Sequence, residues 1–302
     1  MKNDAKSKWL DMVAEYGLQT VYPLFRLFWI FLENLPIGVA YGLAEVMGRI
    51  AYRLAGRRRT QIYQNLEIVY PGGAPLPKQA FAQRVFIHLC CVFVETALSR
   101  RLVHRHTWRN YINGAGVAAL TELKAEYGQA VLASLHLGNF MVAGYTAVYT
   151  GHIPVTVIHP WQGQGFMQFF ANFFERIGHT VVIKQEAYEI LQTMAGNGYS
   201  PLLLSDQHAG RKAPYLDFLG RPAYSAVGPA ALARRFHLPF YIGAMVRIGR
   251  FRFNLLGMKL PPIVTEDKQA DLEAMTLRLN QEYGKMILQY PEQWFWMHRR
   301  WR

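Results

Sequence analysis

The segment AVLASLHLGNFM, residues 130–141, decides how this chain is read. Ala130 to Leu135 form a short run of apolar and small residues, the pattern of a strand buried on both faces of a parallel sheet. His136 interrupts the run at its far end, and Gly138-Asn139 then supplies a turn and a helix start. A histidine at such a strand end can hold its ring in a cleft beside free backbone N–H groups and take a proton from an attacking hydroxyl or amine. Further along stands Met141, whose thioether can neither accept a strong hydrogen bond from an imidazole nor stabilise its protonated form.

The same rhythm recurs downstream. Strand patterns at 153–158, 180–184, 201–205, 240–248 and 251–256 alternate with helix patterns at 139–150, 165–177, 187–196, 228–237 and 268–290. They predict an α/β fold with a largely parallel central sheet flanked by helices. Such sheets bind ligands at the carboxyl ends of their strands. Two polar motifs fall there, His136 after the first strand and SDQHAGRK (205–212) after the fourth.

Upstream the patterns are helical. GRRRTQIYQNLEIVYPGG (56–73) reads as a basic helix ended by Pro71-Gly72-Gly73, and a second helix runs from about Pro77 to Leu102. The expected organisation is a helical membrane-associated region over 1–56 and an α/β domain over 57–302. Arg26, Glu33 and Glu45 divide the apolar stretch Leu18–Met47 into runs shorter than the roughly 18 residues of a spanning helix. It is expected to lie on or dip into the membrane. A buried helical hairpin turning at Asn34-Leu35-Pro36, or one span with snorkelling basic side chains, stays open. The first residues mix Lys2, Lys6 and Lys8 with Asp4, Asp11 and Glu15, unlike a cleaved signal peptide.

The 302 residues, 51% of them hydrophobic, supply a sizeable core. A formal net charge of +13 points to an anionic partner: nucleic acid, phospholipid, phosphorylated glycolipid or an acidic carrier protein. Aromatic residues make up 14% of the chain and gather beside basic ones in TVYPLFRLFWIFLENLP (20–36) and PEQWFWMHRRWR (291–302), as suits a membrane interface. No RNP-like strand, zinc-ligand spacing or base-reading basic helix accompanies them, so nucleic acid is set aside. Adjacent Cys90 and Cys91 are poorly placed to bridge and read as core thiols on a reducing, cytoplasmic side. His208, His237 and His298 form no metal-ligand set, and no phosphate loop is present, so no metal or cofactor is expected. Ser134 and Ser205 lack the nucleophile-elbow pattern, which favours direct transfer over a covalent enzyme intermediate.

Five blocks in order, GRRRTQIYQNLEIVYP (56–71), HLGN (136–139), SDQHAG (205–210), DFLGRPAYSAVGPAALARRFHLPF (217–240) and the terminal PEQWFWMHRRWR, resemble the late acyltransferase family of lipid A biosynthesis, within the lysophospholipid acyltransferase superfamily. The resemblance implies transfer of an acyl group from a carrier-protein thioester to a lipid A type glycolipid at the cytoplasmic side of the inner membrane. It makes His136 the general base of a His-x4-Asp/Glu motif whose acid position is Met141 here. A second departure is His159 in VIHP (157–160), where the family has a permanently charged arginine.

The missing acid has to be sought elsewhere. Asp206, after a strand of the same sheet, is the first candidate and Glu95, in an apolar helix, the second; Glu175 and Glu186 lie on flanking helices. Asn139 is expected to order the helix start, and Asp206 with Gln207 to support the site or replace the lost acid; Asn139, His159 and Gln207 are expected to line the substrate site. Arg57 and Arg58, with Arg59, Arg299, Arg300 and Arg302, are expected to meet phosphates of the acceptor or of lipid headgroups, and Arg211 and Lys212 to do so next to the site. Alternatively the whole forms a solvated positive face. Two further readings stay open. One is aminoacyl, for instance glycyl, transfer, because an activated thioester and an amine ask less of the base; the other is a catalytically silent lipid-binding relative.

Overall fold

The computed structural model describes residues 21–158, 164–183 and 187–302. A helix over residues 21–34 (α1) turns through Pro36 into α2 (Ile37–Leu54). Proline is tolerated at that boundary because no helical N–H is lost. Next come α3 (Gly56–Val69), which stops short of Pro71-Gly72-Gly73, and α4 (Lys78–Leu102).

The α/β part then runs β1 (Ile112–Asn113), α5 (Ala115–Tyr127), β2 (Val131–Gly138), α6 (Phe140–Tyr149), β3 (Pro154–Ile158), α7 (Gln164–Arg176), β4 (Thr180–Ile183), α8 (Ala187–Gly196) and β5 (Ser200–Leu204). It continues through a hairpin of β6 (Tyr215–Phe218) and β7 (Arg221–Tyr224) to α9 (Gly228–Phe236), β8 (Phe240–Gly249), β9 (Arg252–Leu260) and α10 (Lys268–Gln289). Among the described residues, seven strands form one sheet in the order β1-β9-β8-β2-β5-β3-β4. Neighbours are parallel except β8 and β9, so the expected α/β fold with a largely parallel sheet is what is found.

β2 lies at the centre, and its alternation divides the interior in two. Val131, Ala133, Leu135 and Leu137 point to a core shared with α8, α9, α10 and residues 294–297. Ala130 and Leu132 point to a second core built with α1, α2, α5, α6 and α7. α4 serves both, giving Phe81, Val85 and Phe86 to the first and Cys91, Val94 and Leu98 to the second. A helix with core on both sides needs no polar stripe, which explains its apolar sequence. It is the one described helix long and apolar enough to cross a membrane, yet 67% of its apolar window is buried within the protein. Cys90 and Cys91 on it are free thiols, and burial pushes Cys91 up to about 11.

α1 and α2 turn where Asn34-Leu35-Pro36 suggested, but they are buried on one side only. Trp29, Leu32, Ala40 and Ala44 pack inward, while Leu24, Leu27, Phe31, Val39, Val46, Ile50 and Leu54 remain exposed. Three elements were absent from the sequence-based expectation. β1 is two residues long, and α5 begins in Gly114-Ala115-Gly116, which reads as a turn. The β6–β7 hairpin turns on Leu219 and Gly220, both with positive φ (57° and 80°), and a leucine there hides the usual turn signal.

Candidate active site

β2 and β5 pair in parallel with Leu132 opposite Leu202, Ala133 opposite Leu203 and Ser134 opposite Leu204. Ser205 N–H then donates to Ser134 O at 3.0 Å, and two steps along each strand from the Ser134–Leu204 pair bring Asp206 abreast of His136. The imidazole Nδ1 meets Asp206 Oδ1 at 2.8 Å, while the His136 backbone N–H donates to Oδ2 at 3.1 Å. The carboxylate in contact with His136 thus comes from the end of the neighbouring strand rather than from position 141, at the carboxyl ends where the topology collects loops.

Immediately beyond, the sheet register breaks between Ser134 and Gly138. Gly138 has φ +65°, and a Cβ there would sit 1.8 Å from Met245 O. Only glycine lets the chain turn this closely against β8. Asn139 follows, with its N–H on Met245 O at 2.7 Å and its side-chain oxygen capping α6 through Val142 N–H at 3.0 Å.

Asp206 is 1% exposed and His136 20%, so the acid is interior and the base reaches the surface. Burial pushes the carboxyl up, but the His136 ring, the Trp294 indole and the His136 backbone N–H together hold it below its usual range. With Nδ1–H donating to Asp206, the neutral ring carries its free lone pair on Nε2. The Gln207 side-chain nitrogen lies 3.5 Å from Nε2, and Phe140 and Phe295 flank the ring at centroid distances of 5.0 and 6.1 Å.

The aromatic C-terminal block closes the site from behind. Trp294 Nε1–H donates to Asp206 Oδ2 at 2.8 Å, and Phe295 N–H donates to His136 O at 3.0 Å. Asn65 on α3 holds this block through Trp296 O at 2.7 Å and His298 O at 2.8 Å. His298 stands within the field of both Asp206 and His136; burial pulls it down to about 4, which keeps it neutral, and its buried Nδ1 has no hydrogen-bond partner among the described residues. Sequence reasoning missed Trp294, Phe295 and His298 as site residues, since tryptophans beside arginines suggested an interface instead.

Other expected residues fall in different places. Glu95 is wholly buried, but its carboxylate is taken by Arg247, Tyr41 and Asn139, whose side-chain nitrogen donates to it at 2.9 Å. It thus braces α6 from beneath rather than serving His136. Arg247 also reaches His88 Nδ1 at 3.0 Å. Asn139 is fully buried, so it acts on the helix start and not on an exposed surface. Met141 packs among the apolar residues of the α6 and α7 core.

Glu175 sits on the exposed side of α7; His159 and Glu186 lie outside the described residues. Arg300, expected at a phosphate, is instead fully buried: it donates to Tyr224 O at 2.6 Å and Ser225 Oγ at 2.8 Å, and lies 4.4 Å from the Phe218 ring centroid. Arg57, Arg58, Arg211, Lys212, Arg299 and Arg302 are exposed. Ser134 donates to Gly243 O and Ser205 pairs with Tyr283 Oη, so both hydroxyls are bound into the core. Among the described residues, no group of three or more His, Cys, Asp or Glu side chains is placed to hold a metal ion.

The arrangement is a buried carboxylate bonded to one nitrogen of a partly exposed imidazole, with Gln207 near the other nitrogen, the geometry a general base requires. Residues 13–302 match the family model of bacterial lipid A biosynthesis acyltransferases. The chain is also similar to a phosphatidylinositol mannoside acyltransferase of Mycobacterium tuberculosis strain H37Rv, 25% identical over 177 residues that cover 57% of this chain and 54% of the relative. The corresponding protein of strain CDC 1551 matches equally. The match thus spans about half the length of these curated relatives.

Proposed function

The chain belongs to the bacterial lipid A biosynthesis acyltransferase family, and from that premise we propose that it moves an acyl group from a thioester onto a hydroxyl of a lipid A type glycolipid. The observation that carries this reading is the His136–Asp206 contact at 2.8 Å. His136 Nε2 takes the proton of the acceptor hydroxyl as its oxygen attacks the thioester carbonyl. Asp206 fixes the tautomer and stabilises the imidazolium. Collapse of the tetrahedral intermediate breaks the C–S bond, and the imidazolium returns its proton to the departing thiolate. Ser134 and Ser205 take no part, so donor and acceptor react directly.

The donor is a carrier-protein thioester, which suits the net charge of +13. The acceptor is a phosphorylated glycolipid; the mycobacterial relative's name, which specifies a phosphatidylinositol mannoside, supports that class. Gln207 lies beside the reacting nitrogen, and exposed Arg57, Arg58, Arg211 and Lys212 offer charges for phosphate. The enzyme works at the cytoplasmic side of the inner membrane in this reading, and the exposed apolar faces of α1 and α2 support contact with a lipid surface. The intact His136–Asp206 pair favours a working enzyme over a silent lipid-binding relative.

The test is mass spectrometry of lipid A from cells with and without the gene, repeated with His136→Ala. A fatty-acyl mass present with the wild-type gene and absent with the variant is expected. A small aminoacyl increment would replace the donor, and no His136-dependent change in expressing cells would overturn the reading.

A further inference from the structure

Of the hydrogen bonds on the Asp206 carboxylate, one to each oxygen comes from His136 itself, through Nδ1 and the backbone N–H. Among the described residues the remaining one comes from Trp294, whose indole N–H shares Oδ2 with the His136 backbone at 2.8 Å. That leaves Oδ1 for the imidazole. A carboxylate torsion is broad and nearly two-fold by itself, so in this buried pocket the two donors on Oδ2 set the plane of the group.

Trp294 is itself held firmly. It is 1% exposed and packs its ring against Trp296 at 4.9 Å, Phe218 at 5.8 Å and Trp301 at 6.1 Å. Its backbone bridges Leu137, and the next N–H, from Phe295, donates to His136 O. One dipeptide therefore touches both members of the pair. Other titratable groups whose fields reach Asp206 are His298, Arg300 and Tyr283, the last bonded to Ser205 Oγ; none of these donates to the carboxylate.

We propose that Trp294 is a positioning residue for acyl transfer, its indole N–H aiming the Asp206 carboxylate at His136 so that the pair is a three-member chain. The proposal rests on the reading of His136 as the base. Misplacement of a reacting group by about 1 Å costs on the order of 100-fold in rate, so loss of this donor is expected to lower kcat about 10- to 100-fold with KM little changed.

The decisive variant replaces Trp294 with 3-benzothienylalanine, which keeps the bicyclic ring and puts sulfur where the N–H stood. Trp294→Phe is the second variant, and thermal melting checks that both fold. The primary readout is the Nδ1–H proton of His136, followed by NMR of the full-length protein with nitrogen-15 in its imidazoles and assigned with His136→Gln. It needs no substrate, so it stands or falls separately from the acyl-transfer reading, which the lipid analysis tests.

Without the indole N–H the carboxylate is free to turn from the imidazole, so the His136 Nδ1–H···Oδ1 hydrogen bond is expected to weaken and its Nδ1 proton resonance to move upfield or broaden into exchange with water. Asp206→Asn, which takes the acceptor away, is expected to abolish that resonance with or without the substitution. An unmoved Nδ1 proton resonance in the folded variants would overturn the proposal, as would a kcat equal to that of the wild type.

Discussion

Asp206→Asn preserves the size of the side chain and forces a choice between its two ends. Oδ2 accepts from the His136 backbone N–H at 3.1 Å and from the Trp294 indole at 2.8 Å. An amide nitrogen cannot accept either bond, so the asparagine oxygen takes the Oδ2 position and its NH2 faces His136 Nδ1. The ring must then accept at Nδ1 and carry its proton on Nε2, the nitrogen that should receive one. The same substitution in a Ser-His-Asp triad inverts the tautomer in this way and lowers kcat about 10⁴-fold. With an equivalent contact here, a loss of about 10³- to 10⁴-fold is expected, a rise of about 4–5 kcal/mol in the barrier. The assay is single-turnover transfer from a labelled carrier-protein thioester to a lipid A precursor in mixed micelles, with saturating acceptor. KM should move by less than about threefold, because Asp206 touches no substrate in this scheme. A folded variant retaining more than a tenth of the activity would refute the assignment of Asp206 as the orienting acid.

Gly138→Ala combines a positive φ with a clash on Met245 O, and should destabilise by about 3 kcal/mol or more; a wild-type melting curve would contradict the close approach. Glu95→Ala leaves Arg247 buried without its counter-charge and should lower stability by about 3–5 kcal/mol in urea titrations, with Glu95→Gln milder. Burial pulls His88, His152 and His179 below their ordinary value of 6.5, His179 to about 4, so the unfolded chain binds protons that the folded one does not. Stability should therefore be full above pH 6.5 and fall as the pH drops toward about 4, with His179 responsible for about 3 kcal/mol of the loss. His179→Gln should flatten that slope in denaturation measured across the window. Replacing exposed Leu24, Leu27 and Phe31 together by Ser should leave the melting temperature unchanged and cut co-sedimentation with anionic vesicles at least tenfold, since each inserted side chain contributes about 1.5–3 kcal/mol; equal binding would remove α1 from the membrane contact.

The sheet was legible because its central strands β2 and β8 are apolar runs that match burial on both faces, and β2 is the clearest case. The His136–Asp206 pair was legible as position, since both residues end strands of one parallel sheet. Its contact depended on which strands are neighbours, and β5 lies next to β2 only because β3 and β4 precede it in sequence and sit outside it in space. Glu95 misled for a physical reason: an acid in an apolar helix demands a partner, but the sequence could not show that Arg247 provides it. Arg300 misled similarly, its neighbours in the terminal cluster being exposed while it is enclosed by carbonyls and a ring. The role of Trp294 was hidden because an indole donor acts through a geometry no spacing records.

The working parts of this site are far apart along the chain. His136 and Asp206 are separated by 70 positions, and Asp206 and Trp294 by 88. Each contact closes a long loop whose entropy must be offset before the contact rewards it, so they belong to the late stages of folding. A collapsed intermediate with its strands formed but residues 291–302 undocked would have native-like secondary structure and a base whose acid is unrestrained. Catalytic competence would then lag behind circular dichroism in a refolding experiment, and activity would report the completion of the fold rather than its onset.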